Sequence, residues 1–529
     1  MRKSSFVSCL LLAMASMVGW LAAMGQPDSN PNSQQWPIAG QNLSDTRSQP
    51  NEQVINRSNV GTLAPKWVFT ASGNVSVTPT VAGDSVYFPD WGGYVYAVDR
   101  HNGRLIWSKK VSDYDGYPGA VSRVSPAVYK DELIFGDNES YSAVHNGANV
   151  IAVDKNTGAM RWITQVDSHP AAVITGAAVV FGDVVYQGLS SAEEGLADQS
   201  GYPCCTFRGS MVALDAKTGR ILWQTFDMPA NGGNPDAYSG GAIWQSPAID
   251  PERGLLYVGT GNNYTVPQSV EDCQALDPTS DVCPASNDYF DTALALDLKT
   301  GAIKWSKRLY GYDAWTVACL FPRPGTTCPS PHGPDYDLGG SGPNLVGESM
   351  VGFGQKSGMY WGLNRDNGNI LWAALPGPGG TLGGIEWGSA TDGRRIYVAI
   401  GNSGHTSYTL TSGQLITWGS WSALDAATGK ILWQTADPTE GALDTGSVSV
   451  ANGVLYAGSY DASGHMYAFD ADTGKILWSF ASGGSVIDGP SIVDGFLYWG
   501  SGYSRIRPGT ANNKVYAFAP ANREPQGGR

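Results

Sequence analysis

The sequence predicts an all-β fold, an eight-bladed β-propeller of four-stranded antiparallel blades. Three observations carry this expectation. First, one eleven-residue phrase occurs seven times: small residue, apolar residue, Asp, two variable positions, Thr-Gly, three more, Trp. The copies occupy 97–107, 152–162, 213–223, 295–305, 362–372, 423–433 and 468–478, with Asn102 and Asn367 in place of the Thr and Asn364 in place of the Asp. Second, each copy follows another hairpin signal, such as "SPAVYKDELIFG" at 125–136. Two hairpins per repeat make about four short strands, the content of a propeller blade. Third, Leu63 to Trp67 keeps only the end of the phrase and Val515 to Ala519 only its start. Joined, these two halves make the eighth unit and close the ring.

Within the phrase each residue has a task. Asp or Asn caps the tight turn, and Gly supplies its positive φ. The Trp then buries a large flat surface against the neighbouring unit, so the repeats read as tryptophan-docking motifs. Successive Trp residues stand 40 apart between Trp67 and Trp107 but 82 apart between Trp223 and Trp305. A four-stranded blade needs only about 40–50 residues. The surplus lies in loops of the middle blades, chiefly Val266 to Asp291 and Tyr310 to Pro334. Long loops on a rigid scaffold are where binding and catalysis concentrate.

The domain reading is a secretory signal at 1–25, an N-terminal segment packing on the propeller at 26–60, the propeller at 61–520 and a flexible tail at 521–529. Arg2-Lys3, the apolar run Phe6 to Leu21 and Ala23-Met24-Gly25 have the order of a signal peptide, an uncleaved anchor being the alternative. The expected location is therefore periplasmic or secreted, with no membrane span after signal removal. Without Arg2 and Lys3 the chain carries 31 basic against 47 acidic residues. That balance argues against nucleic acid as a partner. After Cys9, six cysteines form three local pairs (204/205, 273/283, 319/328), a pattern suited to disulfides in an exported protein. No Cys-x-x-Cys-His occurs, so no covalent haem is encoded, and the six His show no zinc spacing.

The docking phrases, together with "WPIAGQNLSDTRSQP" at 36–50, resemble the eight-bladed quinoprotein alcohol dehydrogenases, which bind pyrroloquinoline quinone and calcium. The phrase "GYPCCTFRGSMVALD" at 201–215 resembles the polyvinyl alcohol dehydrogenase-like branch. By this resemblance, the stretch from Thr175 to Gly195 makes Glu193 a calcium ligand. Thr175 and the backbone around Ser190, Ser191 and Ala192 would hold the quinone's carboxylates. Trp244 would stack on the quinone ring and Asn262 would ligate calcium, roles suited to a flat aromatic and an amide oxygen. Asp335, in "HGPDYDLGGSGPNL", would be the catalytic base and a metal ligand, with Asp337 a second acid. That segment is one residue shorter than the family pattern and lacks its Trp, so Asp313 in "YDAW" is a rival base.

The same resemblance gives Lys356 a hydrogen bond to the quinone oxygens and Arg123 a pairing with a cofactor carboxylate. Trp387 is placed near the cofactor, although Glu386 departs from the family's Asn. Cys204 and Cys205 would form a vicinal disulfide ring over the quinone, or else serve the loop alone. The reaction implied is oxidation of a secondary or polymeric alcohol, with electrons passed to an external acceptor such as a cytochrome c or a quinone. Calcium is the expected metal, and the extra acid Asp337 leaves a lanthanide open. The rival classes are a non-catalytic envelope scaffold, since the docking repeat alone does not specify an enzyme, and a polymer-cleaving enzyme on the same fold.

Overall fold

A computed structural model describes residues 34–139, 147–278 and 280–522. The expected signal at 1–25 and the tail beyond Asn522 lie outside the described residues. Eight antiparallel blades of four strands follow one another around a ring, the third carrying an extra short strand, Ala172–Val173. Blade 1, for example, runs Thr80–Ala82, Ser85–Pro89, Tyr94–Asp99 and Leu105–Lys110 from its inner to its outer strand. Blade 8 is composite. Ser491–Val493, Phe496–Ser501 and Lys514–Pro520 come from the end of the chain, and Leu63–Thr70 supplies the outer strand. The two half-phrases of the sequence thus meet in one sheet, with Phe69 opposite Val515.

The phrase works as its residue types require. Asp154 Oδ1 accepts from the backbone N–H groups of Asn156 and Thr157 and from the Thr157 hydroxyl, closing the turn. The Gly that follows the Thr or Asn has φ between 69° and 72° in all seven copies. Each of these glycines also lies against the Trp of the preceding blade, Gly301 on Trp223 and Gly368 on Trp305 for instance, where a side chain would collide with the ring. The indole N–H then donates to a carbonyl of that next blade. The eight bonds run from Trp67, Trp107, Trp162, Trp223, Trp305, Trp372, Trp433 and Trp478, at 2.8–3.2 Å. The last of them, Trp478 to Leu63 O, ties blade 7 to the strand that closes the ring.

Residues 34–60 run across the ring. Trp36 bridges to Val81 of blade 1, and Ser48 bridges to Val450 of blade 7. Between them Arg47 is buried, and its guanidinium donates to Val448 O, Ala39 O, Thr78 Oγ1 and Ser447 Oγ. The three cysteine pairs are disulfide-bonded. No helix among the described residues is long and apolar enough to cross a membrane.

Because Trp478 carries the closing contact, Trp478→Ala should cost about 3–5 kcal/mol, the usual loss for a truncated core Trp. Thermal unfolding and limited proteolysis would read it, with Leu63–Thr70 released first; an unchanged melting temperature would show that closure does not depend on this indole.

Candidate functional site

Loops at one end of the ring enclose a cavity of about 510 Å³ whose lining draws on residues 123 to 506, so nearly every blade contributes. Trp244, leading into the inner strand of the fourth blade, is its aromatic wall. The indole meets Trp387 edge-on, with centroids 5.1 Å apart at 74°. It also lies against Gly339 and Gly340. A Cβ at Gly339 would sit 3.0 Å from the indole, and one at Gly340 would overlap the ring. The glycine-rich run 339–342 is therefore what lets the chain lie on the indole and hold it.

Beside this wall stands a charged cluster. The carboxylates of Glu194, Asp335 and Asp337 offer oxygens within 4.8 Å of one another. Lys356 Nζ is 2.9 Å from Asp335 Oδ1, 3.3 Å from Asp337 Oδ2 and 5.6 Å from the Trp244 ring centroid. Burial pushes Glu194 up to about 7 against the opposing pull of Lys356, and it holds Asp335 well above the ordinary carboxylate range. Burial works against the Lys356 charge, but the carboxylates of Asp335, Asp337, Glu194 and Glu386 override it and keep the ammonium firmly protonated.

Asp335 has φ 64°, a left-handed conformation that is uncommon for a residue with a side chain. Asp313 supports it from behind, accepting from the backbone N–H groups of Asp335 at 3.1 Å and Tyr336 at 2.6 Å. Asp313 itself is fully buried and does not line the cavity. Asn262 is fixed in a similar way. Its N–H donates to Asp337 Oδ1 at 2.6 Å, and both amide hydrogens go to Asn263 O and Trp315 O. Asn262 itself is buried and does not line the cavity.

Arg123, Thr175, Ser190, Ser191, Ala192, Trp244, Asp335, Lys356 and Trp387 all line the cavity. Glu193, Asn262 and the Cys204–Cys205 pair do not line the cavity. Glu194 does, in place of the expected Glu193. The two begin the short helix Glu193–Leu196, where neighbours diverge by about 100°. Glu193 turns the other way and accepts from Tyr202 Oη and from the backbone N–H groups of Thr206 and Phe207. Its oxygens are thus committed to the cysteine loop. Cys204 and Cys205 are bonded to each other, but both are buried with that loop and neither lines the cavity. The adjacent acids were visible in the sequence; which of them faces inward is a matter of helix phase.

Arg505, from a loop of blade 8, also lines the cavity and was not anticipated. Its guanidinium carbon is 4.6 Å from the Trp91 centroid, while that of Arg123 is 5.4 Å from Trp91 and 4.6 Å from Trp387. No repeat signal marks position 505, because it sits in an irregular insertion.

The family described as glucose/ethanol/alcohol dehydrogenase, β-propeller domain, matches residues 36–319, and that described as outer membrane protein assembly factor BamB matches 419–524. Polyvinylalcohol dehydrogenase of Sphingopyxis sp. (strain 113P3) is 32% identical, over 88% of this chain and 73% of its own. Polyvinylalcohol dehydrogenase of Pseudomonas sp. is 30% identical, over 69% of this chain and 55% of its own. The crystal structure of quinohemoprotein alcohol dehydrogenase from Comamonas testosteroni shares the fold, with a TM-score of 0.68 at 22% identity, covering 94% of this chain and 82% of that one.

The buried acids set a pH dependence of stability. Desolvation raises Asp45, Asp288 and Asp313 to about 7 and Asp137 to about 8, from an ordinary 3.8. Between these limits the folded chain keeps protons that the unfolded chain has released, so stability falls as pH rises. Melting temperature in metal-free buffer should therefore drop steadily from pH 5 to about pH 8; a rise over that window would contradict these protonation states.

Proposed function

The chain belongs to the glucose/ethanol/alcohol dehydrogenase β-propeller family, and we propose that it oxidises a secondary or polymeric alcohol with pyrroloquinoline quinone and a bound cation, passing electrons to an external acceptor. It is a quinoprotein enzyme of the alcohol dehydrogenase type. The observation that carries the finer reading is the Glu194–Asp335–Asp337–Lys356 cluster set beside the Trp244 wall in one cavity.

The residues fit both groups. A cavity of about 510 Å³ is of the size small-molecule cofactors occupy. The indole offers a flat stacking surface. Arg123, Arg505, Thr175, Ser190 and Ser191 supply donors for a cofactor's carboxylates. Crowded carboxylates with the amide oxygen of Asn262 are a hard-oxygen set suited to calcium. The third carboxylate, Asp337, favours a more highly charged ion, and this supports a lanthanide as the second reading. Glu194 takes the ligand place expected of Glu193, together with Asn262 and Asp335.

When bound, the quinone supplies the hydride acceptor and the cation the Lewis acid. Asp335 takes the hydroxyl proton of the alcohol. Its raised affinity for protons makes it a stronger base than an ordinary carboxylate, and the left-handed backbone held by Asp313 fixes its direction. Lys356 steadies the Asp335 carboxylate and presents positive charge at the aromatic wall, where it stabilises negative charge developing on an oxygen. The chain encodes no Cys-x-x-Cys-His, which supports an acceptor outside it. The signal-like start supports a periplasmic or secreted location. The match of 419–524 to BamB keeps a scaffold role as the alternative, and it predicts no quinone binding.

Dye-linked alcohol oxidation by metal-free protein should require quinone together with calcium or lanthanum. Asp335→Asn should lower kcat by about 10²–10⁴-fold while leaving quinone binding intact. Activity that survives would remove Asp335 from the role of base, and no quinone binding at all would favour the scaffold. In a separate titration of tryptophan fluorescence, Arg505→Ala should weaken quinone affinity about tenfold, the loss of one charge-assisted hydrogen bond; unchanged affinity would remove Arg505 from the cofactor's surroundings.

A further inference from the structure

The three most exposed large apolar side chains among the described residues are Leu276, Val282 and Phe321, at 89%, 86% and 77% exposure. They share a setting. Leu276 and Val282 lie in the insertion closed by Cys273–Cys283, and Phe321 lies in the insertion closed by Cys319–Cys328. The two insertions are joined. Ser330 N donates to Glu271 Oε1 at 3.2 Å, and Ala314 packs with Val266 and Val270. Both leave the propeller at the cavity, where Asn263, next to Asn262, bridges to Ala314.

The second insertion also forms the cavity wall. Trp315, Val317 and Leu320 line the cavity, and the next residue in the chain, Phe321, is exposed outside it. The loop is tied to the Glu194 segment by Thr327 N to Ala197 O, Gly201 N to Gly325 O and the Arg323–Asp198 ion pair at 2.7 Å. Disulfides hold such coreless loops in shape. Apolar groups kept in water on stapled loops, rather than folded under them, point to an occupant that covers them.

We propose that these two loops form an apolar lip that binds the carbon chain of the alcohol beyond its carbinol carbon, which makes the enzyme selective for long-chain or polymeric alcohols. This rests on the alcohol-oxidising reading above. With the hydroxyl at Asp335, a chain of a few carbons ends inside the cavity. A longer one passes Val317 and Leu320 toward Phe321, and the insertion joined to that loop carries Leu276 and Val282.

The test compares 2-propanol, 2-octanol and polyvinyl alcohol as substrates of the quinone-loaded protein, using Phe321→Ser and the triple variant Leu276→Ser, Val282→Ser, Phe321→Ser. KM for 2-octanol and the polymer should rise about tenfold with kcat unchanged, since burial of one large apolar side chain is worth at least that factor. 2-Propanol should be unaffected, and Phe321→Leu should restore most of the loss. An equal loss on all three alcohols would overturn the lip, as would a wild-type protein that does not prefer long chains. Unchanged alcohol kinetics with slower reduction of a protein acceptor, but not of a dye, would assign the surface to the acceptor instead. A wild-type protein that oxidises no alcohol in the presence of quinone would overturn the functional reading itself, an outcome distinct from loss of chain-length preference alone.

Discussion

The indole of each docking tryptophan is the contact on which the rest of the structure depends. A single blade exposes both faces of its sheet and cannot bury them alone. The Trp of one blade covers the turn glycine of the next and donates its N–H to a carbonyl there, so every blade is defined by its neighbour. Closure needs the same contact between Trp478 and the strand at Leu63, which joins residues 415 positions apart. Ring geometry is thus set at the outer turns, away from the cavity. The loops at the cavity end carry no part of that load and are free to differ from blade to blade.

That division explains how a repetitive sequence builds one asymmetric site. The polar groups of the site come from several connections: Glu194 from the third blade, Asn262 from the fourth, Asp335 and Asp337 from the approach to the fifth, and Lys356 from within it. Nothing in the repeat places them together; the ring does. Supporting bonds then fix each one. Asp313 holds the Asp335 backbone, two carbonyls hold the Asn262 amide, and glycine backbone lies on Trp244. Arg47, threaded from the N-terminal segment, bonds both blade 1 and blade 7 near the axis, so the segment acts as a brace across the ring.

The fold was legible because its signal is periodic. Seven copies of one phrase and two half-copies fix the number of blades, the closing strand and the turn chemistry. Of the residues singled out in the sequence, Trp244, Asp335 and Lys356 line one cavity, and Asn262 is buried behind it with its N–H on Asp337. The site was not legible where direction decides. Glu193 and Glu194 differ only in helix phase, and spacing in a sequence does not reveal which of two neighbours turns inward. The cysteine pair was expected above the quinone or in the loop, and the loop holds it, because Glu193 binds the backbone just after it. Arg505 belongs to an insertion without repeat, charge pattern or spacing to mark it.

The electrostatics of the cavity give the last step. Three carboxylates crowd within 4.8 Å, and one ammonium, that of Lys356, stands among them. Burial makes this negative excess costly, which is why Glu194 and Asp335 are pushed toward their protonated forms. Two remedies exist: protons at low pH, or a second cation. A cation that coordinates these oxygens must share Asp335 with Lys356, and the Lys356 ammonium already stands 2.9 Å from one of its oxygens. Asp337, fastened at Oδ1 by the Asn262 backbone, has less freedom and suits a purely electrostatic part. The two acids, two residues apart, thus differ in their partners: Asp337 accepts from the Asn262 N–H, and Asp335 accepts from the Lys356 ammonium.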